Sequence, residues 1–369
     1  MADVNTSSPA AAPVATPEPF EFPSLTELKR SIPARYFESS APRSLLFTAR
    51  AFAFAYAFGA ALFHARQLPL VAEHAALDAL LCAAYTFLQG VNMWGFFTIG
   101  HDCGHGSFSR YHLLNFVVGT LTHSLILTPY EAWKLSHRLH HKNTGNIDQD
   151  EIFYPQRKET VNDPARKMVL SFGLAWWIYE IIGFPPRTEE HTELRDSLFS
   201  RHLITGSLSV LAHLACVMLA FNLTYVLGWA TMGVYYWAPL FVFASMLVIT
   251  TFLHHNDEET PWYADSEWTY VKGNLSSVDR DYGWVVNHLS HNIGTHQVHH
   301  LFPIIPHYNL NGATEYFRKA FPHLVRKSDD RILPAFVRVG LLYVKYGVIE
   351  NDAKHFSLKD NREVLTKRA

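Results

Sequence analysis

Three histidine clusters in this 369-residue chain have the spacing needed to hold metal ions. They are His101-x3-His105 (HDCGH), His137-x2-His140-His141 (HRLHH) and His296-x2-His299-His300 (HQVHH). Residues three or four apart share one face of a helix, so each cluster can aim two or three imidazoles at one point. The chain has 22 histidines, a frequency at which one HxxHH pattern arises by chance less than roughly once in ten such sequences; here there are two. Neutral imidazole suits iron, copper, zinc and nickel, so the residue type does not name the metal. Ligand count says more: eight clustered histidines exceed the four ligands of a structural zinc and the three of a catalytic one, which predicts two ions. Asn287-x3-His291 has helical spacing too, and adds a ninth imidazole and an amide. The step from His291 to His296 crosses Gly294, which predicts the end of one helix and the start of another.

Ligating imidazoles usually donate their second nitrogen to a carboxylate or carbonyl. Asp102, Glu131, Asp148, Asp150, Asp279 and Asp281 are the candidate carboxylates, each equally readable as loop charge or a helix N-terminal acid. His254 and His255 directly follow an apolar run, which favours supporting or headgroup roles over direct ligation. Asn287 reads equally as a helix cap. Isolated histidines such as His64, His74, His112, His123 and His213 are read as structural or interfacial. Trp133, Trp262, Tyr263 and Trp268 could line a substrate groove or anchor the chain at a membrane interface. The sequence has no HExxH, no Glu-x-x-His, no phosphate-binding loop and no GxGxxG, so any electrons must come from a partner.

The elements that position the clusters are membrane-length. Apolar residues make up 49% of the chain and charged ones 17%, and the apolar ones are concentrated at 45–63, 78–100, 203–222 and 231–253. Each run approaches or exceeds the ~20 residues that cross a bilayer. The runs at 113–129 and 168–183 are too short or interrupted, and read as interfacial or half-buried helices. Lys29, Arg30, Arg35, Arg43 and Arg50 precede or enter the first run, whereas the following loop carries only Arg66, so the positive-inside rule places the N-terminus in the cytoplasm. An even number of crossings then separates the clusters, and one site can collect all three.

The expectation is an all-α integral membrane protein with about four transmembrane helices in two hairpins, interfacial helices, and a cytoplasmic helical cap (101–202 and 254–357) holding the metal site. Residues 1–20 read as a disordered tail without a secretory signal or the arginines of a transit peptide, 21–357 as one membrane domain, and 358–369 as a C-terminal tail. Ser24-Leu-Thr-Glu27 is a capping-box pattern that starts a short helix carrying Leu25, Leu28 and Ile32. A net charge of −2 gives no reason to expect nucleic acid, and Cys82, Cys103 and Cys216 are scattered, which predicts reduced thiols.

These motifs resemble the three histidine boxes of the membrane-bound fatty-acid desaturases, over about residues 20 to 357. The stretch SSVDRDYGWVVNHLSHNIGTHQVHHLFPIIPHYNL (276–310) resembles the omega-3 branch. The blocks GHDCGHGSFSRYHLLNF, HHKNTGNIDQDEIFYPQRK and TTFLHHNDEETPWY look most like oomycete omega-3 (delta-17) desaturases. The resemblance implies two irons bound by His101, His105, His137, His140, His141, His291, His296, His299 and His300, with Asn287 acting through water. It also implies dioxygen as co-substrate and an acyl chain on phospholipid or coenzyme A, with arachidonic converted to eicosapentaenoic acid. No HPGG heme domain is fused, so cytochrome b5 and its NADH-dependent reductase are the implied partners, in the endoplasmic reticulum. An eighteen-carbon omega-3 or delta-12 desaturase and a hydroxylase or acetylenase share the same boxes. A histidine-rich membrane metal transporter is the non-enzyme alternative, and it would need ionisable residues along a path inside the spans.

Overall fold

A computed structural model describes residues 21–184 and 202–368, and the tail expected at 1–20 lies outside them. Helix α1 (Leu25–Arg30) starts where the capping box predicts. The Ser24 hydroxyl accepts the Glu27 N–H at 3.2 Å, and the Glu27 carboxylate accepts the Ser24 N–H at 2.7 Å. After α2 (Ala41–Ala65) and the short α3 (Pro69–Glu73) comes α4 (Ala75–His105), the longest helix at 31 residues. At 1.5 Å per residue it is about 46 Å long, roughly 15 Å more than a bilayer's hydrocarbon core, so its last turns carry the first histidine cluster clear of any apolar layer.

Helices α5 (His112–Leu125) and α6 (Tyr130–Asn143) meet at a bend of 103°. The run at 113–129 is therefore one arm of a broken span or re-entrant pair. Next come α7 (Asp163–Met168) and α8 (Gly173–Ile182), the second of which is too short to cross a bilayer, as the sequence predicts. Helix α9 (Leu203–Leu227) turns at Gly228, whose φ of 86° is one that L side chains rarely adopt. The return helix runs from Trp229 to His255 as α10 (Trp229–Met232), a π-helical turn and α11 (Ala238–His255). The remaining helices are α12 (Tyr270–Leu275), α13 (Trp284–Leu289), α14 (His296–Leu301), α15 (His307–Ala320), α16 (Ile332–Tyr346) and α17 (Leu358–Arg368). The break between His291 and His296 is where the spacing put it. The residues set apart as a C-terminal tail form α17, tied back by Arg362 to Glu258 and Lys359 to Glu259. Cys82, Cys103 and Cys216 are free thiols.

Three of the described helices are long and apolar enough to cross a membrane: α2, α9 and the Trp229–His255 helix. The sequence predicts a fourth at 78–100. That helix exists as α4, but Gln89 and Asn92 lower its apolar character, and both are buried. Asn92 Nδ2 donates to the Ala51 carbonyl of α2 at 3.0 Å, which pairs its amide N–H inside the bundle. The helices thus fall into two kinds. In α2 and α9 only 17% and 11% of the apolar window is buried, against 56% for the Trp229–His255 helix, so α2 and α9 face outward while α4 and α11 form the centre. Trp94, Phe97, Phe243 and Phe252 from this central pair are buried in the main core.

Close contact between α4 and α11 depends on Gly90, where an added Cβ would lie 2.6 Å from Val242 Cβ and 2.8 Å from the Pro239 carbonyl. Gly90→Val is expected to cost about 1–3 kcal/mol through overpacking. The check is the thermal midpoint of detergent-purified protein followed by size-exclusion chromatography; an unchanged midpoint would mean the pair is free to separate.

Candidate metal centre

Four elements deliver imidazoles to one place. His101 and His105 end α4, where Gly106 (φ 75°) stops the helix and the Ser107 and Phe108 N–H groups bond back to the Asp102 carbonyl. His137, His140 and His141 lie on α6, and His296, His299 and His300 on α14. The N–H groups of His296 and Gln297 donate to Asp279 Oδ1 at 2.7 and 2.8 Å, so this carboxylate caps α14, and Arg318 holds its other oxygen at 2.7 Å. The fourth element is α11, whose last residue is His255.

The imidazoles form two groups. His101, His105, His137, His141 and His299 offer nitrogens within 4.8 Å of one another, as do His140, His255 and His300. His296 joins the second group, its Nε2 3.0 Å from His255 Nε2 and 2.9 Å from His300 Nε2. His140 Nε2 lies 3.1 Å from His255 Nε2.

Hydrogen bonds alone do not account for these contacts. His140 Nδ1–H donates to Asp150 Oδ1 at 2.6 Å, and His300 Nδ1–H to Thr144 Oγ1 at 3.0 Å, so in the neutral rings both Nε2 atoms are lone pairs. Lone pairs converging at this separation suit a cation. Two nitrogens bound at about 2.1 Å and at right angles stand about 3 Å apart. The same spacing recurs in the first group, at 3.1 Å for His137–His141 and 3.2 Å for His141–His299. His105 Nε2 is buried without a hydrogen-bond partner, as a group reserved for a metal would be. Burial, reinforced by neighbouring imidazoles, pushes His296, His299 and His300 well below the ordinary histidine range, which keeps them in the neutral, ligating form. The residues fit two metal ions.

Several expectations change here. The ninth imidazole that lies with the clusters is His255, whereas His291 lies apart from both groups. His291 is buried elsewhere, accepting from Arg50 Nη2 at Nδ1 (2.9 Å) and packing against His307, because its backbone turns away between α13 and α14 with φ of 60°. Asn287 is also remote, its amide donating to Asp281 Oδ1 at 2.6 Å. His254 is a supporting residue: Nδ1–H donates to the Val278 carbonyl (2.6 Å), Nε2 accepts from Tyr282 (2.8 Å), and the ring stacks on His296. Of the six carboxylates, Asp150 orients His140, Asp279 caps α14, and Asp102 accepts from His307 Nδ1 at 2.8 Å beside His101. Glu131 pairs with Lys134, Asp148 with Arg157, and Asp281 stays with Asn287. Thr144 and Asn274, both at His300 Nδ1, carried no sequence signal. His255 did carry one: it ends an apolar helix at the same level as the clusters.

A family model for fatty acid desaturases matches residues 77–328. An sn-1 acyl-lipid omega-3 desaturase (ferredoxin) from Nostoc sp. (strain 36) is 38% identical over 323 residues, covering 84% of each chain. The chain belongs to the fatty acid desaturase family. Within this family its similarity is to omega-3 members. The chloroplastic sn-2 acyl-lipid omega-3 desaturase (ferredoxin) of Helianthus annuus is 36% identical over 81% of this chain and 66% of its own. The endoplasmic reticulum omega-3 fatty acid desaturase of Nicotiana tabacum is 36% identical over 81% and 77%. For a desaturase, the neighbouring space matters as much as the ligands. An apolar cavity walled by Trp94, Phe97, Trp133, Trp176, Leu247 and Val248 ends on His101, His137, His140, His255 and His296. Of the four aromatic groove candidates, only Trp133 lines it; Trp268 instead donates to the Thr144 carbonyl at 2.9 Å.

His255→Ala is expected to lower bound metal by about one ion per chain, whereas His291→Ala should keep the full complement, measured by plasma mass spectrometry on purified protein. The reverse pattern would restore His291 as the ligand. A pH effect follows from the depressed α14 histidines. The unfolded chain takes up protons below about pH 6.5 that the fold does not, so stability is lost as pH falls through that value. Metal-depleted protein should therefore melt lower at about pH 5.5 than at about pH 7.5, and equal midpoints would contradict buried neutral imidazoles.

Proposed function

We propose that this desaturase places a cis double bond at the omega-3 position of omega-6 acyl chains, twenty carbons long by the resemblance of its motif blocks, so that arachidonic becomes eicosapentaenoic acid. The observation that carries the reading is the junction of an apolar cavity with two groups of converging imidazoles. In this proposal His101, His105, His137, His141 and His299 hold one iron, and His140, His255, His296 and His300 the other. The irons, when bound, supply with dioxygen an oxidant strong enough for an unactivated methylene.

The chain's own residues do the remaining work. Overall, two hydrogens leave adjacent carbons and, together with dioxygen, two electrons and two protons, become two waters. Trp94, Phe97, Trp133 and Trp176 give the acyl chain an apolar wall and limit the water that reaches the reacting carbons. Asp150 fixes the ring and tautomer of His140, and Thr144 and Asn274 do the same for His300. Asp279 locks the first turn of α14, from which three of the ligands project.

In this proposal the chain crosses the bilayer four times, by α2, α4, α9 and the Trp229–His255 helix, with both histidine-bearing ends of the bundle on the cytoplasmic face, a reading supported by the positive charge at the start of α2. A cytosolic electron donor follows, and cytochrome b5 with its NADH-dependent reductase is the donor proposed, in the endoplasmic reticulum. The tobacco relative is named for that compartment, whereas the Nostoc and sunflower relatives are named for ferredoxin.

Yeast expressing the chain and fed separately with eighteen- and twenty-carbon omega-6 acids should accumulate the omega-3 product chiefly from the longer chain, read by gas chromatography. A hydroxy acid as main product would overturn desaturation, and preference for the shorter chain would overturn the proposed length. His140→Ala should abolish the product while the protein stays in the membrane fraction.

A further inference from the structure

A second pocket, of about 370 Å³, lies beside the metal centre but is lined by none of its nine imidazoles. Arg43, Phe47 and Arg50 of α2 form one wall. They are spaced by four and three residues, so they share one helix face. His288, His291 and Asn292, from the end of α13 and the turn after it, form the opposite wall, with Trp284 also among the lining residues.

The charge here is unbalanced. Arg50 lies about 14 Å along α2 from its first residue, where an ionised side chain is costly without a partner. Among the described residues no carboxylate pairs with Arg43 or Arg50. Arg50 donates to the His288 carbonyl at 3.1 Å and His291 Nδ1 at 2.9 Å, both neutral acceptors, and its buried Nε has no partner. Arg43 rests on the Tyr308 ring at 4.3 Å. One carboxylate, Asp281, bonds to the lining residue Asn287. His291 and Asn292 both hold φ of 60°, a strained pair that the fold maintains beside the pocket.

The surroundings identify the anion's carrier. Leu45 and Leu46, next to these arginines, are exposed on the outward side of α2, and Trp284 is 79% exposed, as expected of a side chain at a bilayer surface. Basic pockets between membrane helices suit lipid head groups. The pocket also abuts the acyl cavity: Asn292 lines the former and its neighbour Ile293 the latter.

We infer that this pocket binds the phosphate of the substrate's phospholipid head group through Arg43 and Arg50, so that one lipid straddles the Asn292–Ile293 wall with its acyl chain at the metal centre. The inference rests on the acyl-desaturase reading and narrows its substrate to a phosphate-bearing lipid. The head group then fixes how far the chain reaches past the histidines.

The test is calorimetric binding of dihexanoyl-phosphatidylcholine, below its micellar concentration, to the detergent-purified full chain. Arg43→Gln and Arg50→Gln should each weaken binding about tenfold, with Arg50→Lys in between and Arg110→Gln, an exposed arginine outside the pocket, like the unaltered protein. Dihexanoylglycerol, which lacks the phosphate, should not distinguish among these proteins. Equal phospholipid binding by both Gln variants would overturn the inference, as would displacement of the phospholipid by an equal concentration of inorganic phosphate. In yeast membranes, the same two variants should raise KM for acyl phosphatidylcholine more than they lower kcat. Because binding is read without turnover, a protein that binds as expected but forms no double bond would refute the desaturase reading and leave the pocket standing.

Discussion

Nine imidazoles converge on two points, and the structure holds several of them from behind. Burial of so many polar rings is costly unless their other nitrogens are bonded or metal takes the lone pairs. Much of the cap serves that requirement. Asp150 reaches His140 from the loop after α6, Thr144 and Asn274 converge on His300, and Val278 and Tyr282 occupy both nitrogens of His254, which backs His296. The two-residue strands at Asp279–Arg280 and Lys327–Ser328 hold the capping carboxylate of α14 in register.

The membrane part is organised by the same demand. A helix that delivers ligands must be packed on several sides to hold them still, and α4 and α11 occupy that central position, while α2 and α9 present apolar surface outward. This explains why the longest helix of the protein is not its most apolar one. Gln89 and Asn92 are tolerated in α4 because they meet protein and not lipid, and the glycines along it admit close neighbours: Gly90 admits Val242 and Gly95 admits the Leu289 carbonyl.

Much of this was legible in the sequence, because the three clusters sit on helices and helical spacing is a local property. The capping box at Ser24, the break between His291 and His296 and the shared helix face of each cluster all follow from residues close in the chain. The identity of the ninth imidazole did not. Asn287-x3-His291 has the right spacing, but which way a helix face points depends on the turns at its ends, and two consecutive residues with positive φ swing His291 toward Arg50. His255 was read as a supporting residue because it adjoins a span, whereas the end of a span is where α4 also presents His101 and His105. The partners of Asp102 and Asp279 were not legible because they depend on contacts distant in sequence.

One placement reaches beyond the site. His255 is the terminal residue of the largely apolar helix that begins at Trp229, so its imidazole has no loop between it and the spanning segment to absorb movement. A shift of that helix along its axis by one residue's rise would carry the ligand about 1.5 Å, most of a metal–nitrogen bond length of about 2.1 Å. Hydrophobic mismatch, which tilts or shifts spanning helices when lipids thicken or thin, therefore acts directly on the coordination geometry. The physical state of the lipid is in this way built into the metal centre of an enzyme whose product changes that state.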